Sequence, residues 1–354
     1  ILSRVSPFMK AQVTNAVRDQ GGLTLSIGDG ANDVGMIQVA HVGVGVYGRE
    51  GSQAAQSADF AIPRFRHLVR LLTVHGHWSY YRFSNVAMIM LYKNFVFILN
   101  QFWFSFYALW SPTSYYQDFF LSIFNLVFTV LPPFIFGCSE QDLPQQVLMK
   151  TPDLYPAHHD VMKVHNLAYY LILAVFQSLV SYFSVFYNLG DDQLCANGVM
   201  SYLNVVYIVI VQIIIWTTYH NILSFIFYPV NIVVVPIITV IYLACFNDNM
   251  KAVFTHTLAT GNAWLGLLSA VIIAVLPSFI IEYTIKRFRP SKIRIFQERV
   301  TMGINDRKNA NIRRTWAQFG TSQLERYENG HIDGQIHSPQ RNEEMEMDEM
   351  KEEE

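Results

Sequence analysis

Cysteine and charge are the scarce components of this chain. Three cysteines among 354 residues cannot build a disulfide framework, and none stands in CxxC spacing or beside histidines as a zinc site requires. Cys195 and Cys245 leave open a single bridge on one side of the molecule. Asp, Glu, Lys and Arg together make up only 15% of the residues, which excludes an ordinary soluble globular class. Acids are scarce within the long apolar runs. The first five runs hold only Asp118, at an edge, and the sixth holds only Glu282, with Lys286 four residues on to pair with it. No nucleic-acid partner is expected.

Apolar residues are abundant instead, at 52% of the chain with 14% aromatic. Six stretches reach the roughly 20 residues needed to cross a hydrocarbon layer of about 30 Å. They are Val86 to Leu109, Gln117 to Gly137, Asn166 to Tyr187, Met200 to Leu223, Tyr228 to Phe246 and Ala263 to Ile285. Six in succession with short joints exclude buried soluble helices, and they come too late in the chain for a signal peptide. Lysines and arginines orient them. Arg64, Arg66, Arg70 and Arg82 precede the first span, Lys150 and Lys163 lie between the second and third, and Lys286, Arg287, Arg289, Lys292 and Arg294 follow the sixth. The opposite loops carry only Lys251. The N-terminal region, the loop from Ser139 to His165 and the C-terminal tail are therefore expected in the cytosol.

Before the first span, Leu25 to Gln38 reads LSIGDGANDVGMIQ. The apolar, partly β-branched run Leu23 to Ile27 predicts a parallel strand that Gly28 stops, and ligands gather at such strand ends in open α/β sheets. Asp29 and Asp33 are hard oxygen ligands that suit Mg²⁺. If a helix begins over Ala31 to Val39, both acids lie at its positive end. Asn32 adds an amide for a phosphoryl oxygen, and the glycines allow close backbone approach. Upstream, Pro7 fits the first turn of a helix whose apolar residues are Val13, Ala16 and Val17, and this helix brings the Lys10 cation toward the same phosphate.

Within the first span, Lys93 is the costly residue. A lysine facing lipid at that depth costs roughly 2.5 to 3.5 kcal/mol on insertion scales, so it is expected to face the bundle or a wet groove, with snorkelling to the interface as the alternative. Asn94, Asn100 and Gln101 follow it at helical spacing as a polar stripe. The second span carries Asn125 and Thr129, then Pro132 and Pro133, which free backbone carbonyls that either a polar ligand or simple helix packing can use. Gln177, Asn204, Gln212 and Asn231 are read as packing residues, and His75 and His77 as a polar hinge.

The strings Arg4 to Lys10, IGDGANDVGMIQ, AHVGVGVYGREGSQAAQSADFAI and HGHWSYYR resemble the phosphorylation domain of P-type ATPases, and most closely the type IV phospholipid flippases, over about Arg4 to Cys138. Cation pumps usually continue GDGxND with Ala-Pro, whereas this chain has the flippase form Val34-Gly35-Met36-Ile37-Gln38. It departs from the family at Met9, usually Gln, and at His77, usually Arg.

The resemblance implies an α/β fold over residues 1–75, the second half of a haloacid-dehalogenase-like phosphorylation domain. An α-helical six-span membrane domain over 76–287 and a largely disordered cytosolic tail over 288–354 follow. It implies ATP and Mg²⁺ as cofactors, with Asp29 and Asp33 holding the metal. Lys10 and Asn32 would steady the phosphoryl group, and Arg4 would position the nucleotide end. Lys93 followed by Asn94 matches the family's lipid pathway, where Lys93 would attract a phosphate or carboxylate headgroup; Asn125, read from the residues alone, either joins that pathway or packs between helices. The implied activity is ATP-driven movement of a phospholipid from the exoplasmic to the cytosolic leaflet. A two-span accessory β-subunit is the implied partner, and a Golgi, endosomal or plasma membrane the implied location. The phosphorylated Asp of the DKTGT motif, the nucleotide and actuator domains and four earlier spans do not occur in this sequence. The chain is thus expected to be the C-terminal part of a larger flippase and inactive alone. A non-catalytic channel or scramblase-like protein would show decay of the acidic site, yet Lys10, Asp29, Asn32 and Asp33 are intact. A cation-pumping P-type ATPase would place acids inside the spans. The basic stretch through Arg299 is suited to anionic lipid headgroups or to plain juxtamembrane anchoring. Glu343 to Glu354 is almost wholly acidic and expected to be disordered.

Overall fold

The computed structural model describes residues 5–48, 52–151, 162–189, 194–246, 260–288, 290, 293–299 and 302, with the side chains of 243–246 outside that description. The expectations placed on Arg4, Cys245, Lys251, Arg289, Lys292 and the acidic tail fall outside it. The chain divides into two units, Ile1–Ile295 and Phe296–Glu354. The first contains everything that follows.

Its N-terminal part is a small α/β layer. Helix α1 (Pro7–Asp19) starts where Ser6 accepts a hydrogen bond from Met9 N and Pro7 occupies the first turn. Strands β1 (Leu25–Gly28), β2 (Val42–Val46) and β3 (Phe60–Ile62) form a parallel sheet in the order β1-β2-β3, with Ile27 opposite Val44 and Gly45 opposite Ala61. Helices α2 (Val34–Val39) and α3 (Gln53–Ser57) make the crossovers and bury Ile37, Ala54 and Ala55. The helix expected over Ala31 to Val39 is a 3₁₀ turn at Ala31–Asp33 followed by α2.

The remainder is helical, with six helices long and apolar enough to span a membrane. Helix α4 (His67–Arg70) passes through a π-helical turn at Leu71–Gly76 into α5 (His77–Tyr107), so His67–Tyr107 is one 41-residue rod. The polar hinge expected at His75 and His77 is therefore a continuous helix. The helix ends where Leu109 and Trp110 take φ of 50° and 60°. The second span is broken into α6 (Asp118–Ile123), a π-helical turn (Phe124–Phe128) and α7 (Leu131–Ser139). After α8 (Gln145–Lys150), the bundle continues with α9 (Val164–Leu189), α10 (Leu194–Trp216), α11 (Ile222–Phe246) and α12 (Gly261–Phe288).

The fourth span stops at Trp216 rather than at the expected Leu223, because the polar run Thr217 to Asn221 leaves the helix as an irregular segment. Helix α10 is the hub. It packs on α5, α7, α9, α11 and α12, and 78% of its apolar window is buried against 28–44% in the other five spans. The core is aromatic where α5, the second span and α10 meet: Phe97 stacks on Phe124 at 4.1 Å, and Tyr202 touches Phe120, Phe124 and Phe128 by their ring edges or at a tilt. Such pairs contribute about 0.5–1.5 kcal/mol each beyond their burial.

Candidate functional site

Two places combine charge with shape. The first lies at the carboxyl end of β1. The chain leaves the strand at Gly28, passes Asp29 and Gly30, and turns through Ala31–Asp33 into α2. Helix α1 packs across α2, and Lys10 from α1 reaches back so that its Nζ donates to Asp33 Oδ1 at 2.8 Å. A cleft of about 420 Å³ is bounded by Lys10, Thr14, Gly28, Asp29 and Asp33 together with Val5 and Met36. Two glycines make this crowding possible. A Cβ on Gly28 would overlap Asp33 and come within 2.7 Å of its Cγ, and one on Gly48 would lie 2.8 Å from the Asp29 carbonyl oxygen. Asp33 is half-buried beneath Lys10, while Asp29 and Asn32 are exposed.

The donor set fits Mg²⁺. Among the described residues no three His, Cys, Asp or Glu side chains converge, as a closed transition-metal site would need. Mg²⁺ is commonly held by one or two carboxylates, with water and substrate phosphate completing its shell. Asp29 and Asp33 on a cleft that a lysine also borders supply that chemistry. Of the residues expected there, Lys10, Asp29 and Asp33 share the cleft, Asn32 lies exposed in the adjoining 3₁₀ turn, and Arg4 is outside the described residues.

The second place is inside the bundle. Lys93 is 1% exposed and does not snorkel. Its Nζ donates to the Thr129 carbonyl oxygen at 3.1 Å and to Thr129 Oγ1 at 2.9 Å, and lies 5.9 Å from the centre of the Phe124 ring. Thr129 Oγ1 in turn donates to the Phe124 carbonyl at 2.7 Å. That carbonyl also accepts from Thr129 N at 3.0 Å, the bond that closes the π-helical turn. Helical pairing resumes with Phe134 N donating to Val130 O at 3.1 Å. The preceding rung would run from residue 133 to Thr129 O, and Pro133 has no N–H to make it. The carbonyl that the proline releases is the one that Lys93 takes.

The polar stripe divides. Asn100 is buried and accepts from Ser201 Oγ at 3.0 Å, whereas Gln101 binds Tyr115 N and Thr113 O near the end of the helix. Asn94 is half-buried, and Asn125 is exposed on the π-helical turn. Gln177, Gln212 and Ser278 form a closed amide and hydroxyl cluster: Gln212 Oε1 accepts from Gln177 Nε2 at 2.9 Å and from Ser278 Oγ at 2.7 Å, and Tyr92 OH donates to Gln177 Oε1. This is the packing role read for the glutamines.

A third group escaped the sequence reading. At the base of α5, His77 Nε2 lies 2.7 Å from Asp142 Oδ2, Trp78 Nε1 donates to Leu143 O at 3.1 Å, and Arg82 Nε donates to Glu140 O at 2.6 Å. Glu140 Oε1 accepts from Thr218 N at 2.9 Å, from Tyr219 N at 3.2 Å and from Thr218 Oγ1. Burial raises the Glu140 carboxyl above the usual carboxylate range, and the bonds from Thr218 and Tyr219 oppose that rise. The available signal was the acid pair Glu140 and Asp142 directly after an apolar span, in a loop that also carries the lysines read as cytosolic.

Similarity to known proteins agrees with this architecture. Residues 55–291 match the family model described as phospholipid-translocating P-type ATPase C-terminal. Phospholipid-transporting ATPase VD of Mus musculus is 43% identical over 196 residues, covering 54% of this chain and 14% of that protein. Phospholipid-transporting ATPase IH of Mus musculus is 33% identical over 308 residues, covering 81% of this chain and 26% of that protein. Phospholipid-transporting ATPase DRS2 of Saccharomyces cerevisiae is 34% identical over 324 residues, covering 86% and 24%. The chain thus spans about a quarter or less of the length of these relatives. With the matched segment running from α3 past the end of the sixth span, the chain belongs to the phospholipid-translocating P-type ATPase family and carries its C-terminal region.

Proposed function

We propose that this chain is the C-terminal part of an ATP-driven phospholipid flippase that moves its lipid from the exoplasmic to the cytosolic leaflet through an aspartyl-phosphate cycle. Residues 1–75 then form the second half of a haloacid-dehalogenase-like phosphorylation domain, 76–287 the last six spans, and 288–354 a cytosolic tail. The observation that carries the reading is the meeting of Lys10, Asp29 and Asp33 on one cleft at the end of a parallel strand. The exposed apolar residues of α1 and β1, among them Phe8, Val17 and Leu25, favour it too, since parallel sheets are normally covered on both faces. They suit a layer that packs against another half-domain.

In this reading Asp29 and Asp33 hold Mg²⁺, which supplies charge neutralisation at the phosphoryl oxygens when bound. Lys10 orients Asp33 and presents an ammonium to the phosphoryl group, and Asn32 offers amide donors to its oxygens. Positioning and electrostatics are most of what phosphoryl transfer asks of a protein. The unbroken rod His67–Tyr107 joins the α/β layer to the helix that carries Lys93, so a shift at the phosphate site is transmitted to the lipid pathway as a rigid movement. Lys93, Asn94 and Asn125 are the residues offered to the headgroup. The accessory β-subunit and a Golgi, endosomal or plasma membrane location belong to the same proposal.

The test is phospholipid-stimulated ATP hydrolysis by the full-length protein containing this chain, with Asp29→Asn as control. Stimulated turnover that the substitution strongly reduces at a fixed, low Mg²⁺ concentration is the expected result. Turnover indifferent to lipid or to Asp29 would overturn the reading.

A further inference from the structure

Lys93 is an unusual buried cation. Both of its hydrogen-bond acceptors are neutral oxygens, and both belong to Thr129. Among the described residues no carboxylate forms an ion pair with it. Ammonium groups buried this deeply are normally matched by an anion, because the attraction offsets part of the desolvation cost. Here the cation is fixed in position while its charge stays uncompensated.

Two local features do the fixing. The Thr129 hydroxyl spends its only proton on the Phe124 carbonyl, so its lone pairs remain for Lys93 Nζ and cannot rotate away. The Thr129 carbonyl is available because Pro133 cannot take it. An ammonium has three N–H donors, and these two oxygens occupy two of them.

Building on the flippase reading, we propose that Thr129, with its carbonyl released by Pro133, is a positioning residue that preorganises the Lys93 ammonium for the phosphodiester of a phospholipid headgroup. Thr129 acts through the lysine. Without the hydroxyl, Lys93 keeps its charge but loses one fixed anchor, and the cost falls on capture of the anion. An alanine at 133 would return an N–H to the Thr129 carbonyl and set it in competition with Lys93, leaving the hydroxyl in place. The two changes reach the same ammonium by separate routes.

The experiment uses the full-length protein in detergent, titrated with micelles of phosphatidylserine or of phosphatidylcholine, with ATP hydrolysis as readout. Thr129→Val, Thr129→Ser and Pro133→Ala are compared with the native protein, and a soluble glycerophosphodiester replaces lipid in a second arm. For Thr129→Val the half-saturating lipid concentration is expected to rise about tenfold, the worth of one charge-assisted hydrogen bond, and to exceed any fall in maximal rate. Thr129→Ser restores it to within about twofold, as an intact hydroxyl requires. Pro133→Ala raises it in the same direction, and remains decisive if the valine variant does not fold. Half-saturation unchanged in both Thr129→Val and Pro133→Ala, or a serine variant as impaired as the valine, would overturn the positioning role while leaving the flippase reading intact. Stimulation by the soluble phosphodiester would overturn the assignment to lipid. A native protein that no lipid stimulates would overturn the function and this inference together.

Discussion

His77 and Asp142 stand 65 residues apart in sequence and 2.7 Å apart in the structure, with side-chain exposures of 1% and 2%. They pin the base of α5 to the segment that follows the second span, beside the Trp78 and Arg82 bonds to the backbone of Leu143 and Glu140. Removing one partner of a buried pair of this kind typically costs about 3–5 kcal/mol, because the other keeps its desolvation without its partner. Asp142→Ala and His77→Ala are each expected to lower thermal stability by an amount in that range. The double variant should cost less than the sum of the two, and additive losses in a thermal-unfolding double-mutant cycle would show that the pair is not coupled.

At the cleft bordered by Lys10, Asp29 and Asp33, the roles proposed for Asp29 and Lys10 lead to different expectations. Asp29→Asn is expected to raise the Mg²⁺ concentration for half-maximal ATP hydrolysis by about tenfold or more, since even groups that only orient a metal ligand cost that much. Lys10→Met should lower maximal turnover by about 100-fold, as removal of a preorganised donor at a developing charge does. A Mg²⁺ titration of turnover in the full-length protein separates the two. Equal effects of both substitutions on Mg²⁺ half-saturation would refute the division of roles.

These residues were legible because local chemistry specifies them. Pro7 announces the start of α1, and the strand, glycine and acid order of Leu25 to Asp33 needs only neighbours to make sense. Lys10 meets Asp33 because one helix packs on the next. The spans were legible from length and apolar content, although their ends were not. Trp78, Tyr80, Tyr81 and Arg82 make the start of α5 too polar to read as a span, yet backbone hydrogen bonding carries the helix through from His67. The Thr129 bonds to Lys93 and the His77 contact with Asp142 join residues 36 and 65 positions apart, and no periodicity reports on pairings of that range. Pro133 did announce a freed carbonyl. Which donor would claim it depended on how α5 packs against α7.

Glu140 carries a pH dependence with a definite sign. Its carboxyl is buried and raised above the ordinary value of 4.5, so the folded state binds its proton more tightly than the unfolded state does. The stabilisation from that proton is full below about pH 4.5 and is lost as pH rises through the higher folded value. At neutral pH the ionised group is therefore a cost. Glu140→Gln keeps an Oε1 acceptor for Thr218 and Tyr219 without the charge, and it should be at least as stable as the native protein at pH 7.5. Thermal-unfolding midpoints from pH 5 to 8 should show a flatter profile for the glutamine variant, and a steeper one would contradict the burial argument.

The cluster of Tyr92, Gln177, Gln212 and Ser278 joins α5, α9, α10 and α12 at the centre of the bundle, so its loss should be felt as stability and not as lipid recognition. Gln212→Leu removes the oxygen that both Gln177 Nε2 and Ser278 Oγ use. Polar contacts between membrane helices are modest, averaging about 0.6 kcal/mol with a maximum near 1.7, because the separated helices also find partners. Ser278 Oγ retains the Val275 carbonyl at 2.8 Å and Gln177 Nε2 the Ala274 carbonyl at 3.2 Å, which softens the loss further. Gln212 Nε2 has no hydrogen-bond partner among the described residues, and the leucine relieves that buried donor. The net expectation for Gln212→Leu is a loss of about 1 kcal/mol or less with the half-saturating lipid concentration within about twofold of native. A larger shift in half-saturation than in unfolding temperature would move this cluster from the scaffold into the lipid pathway.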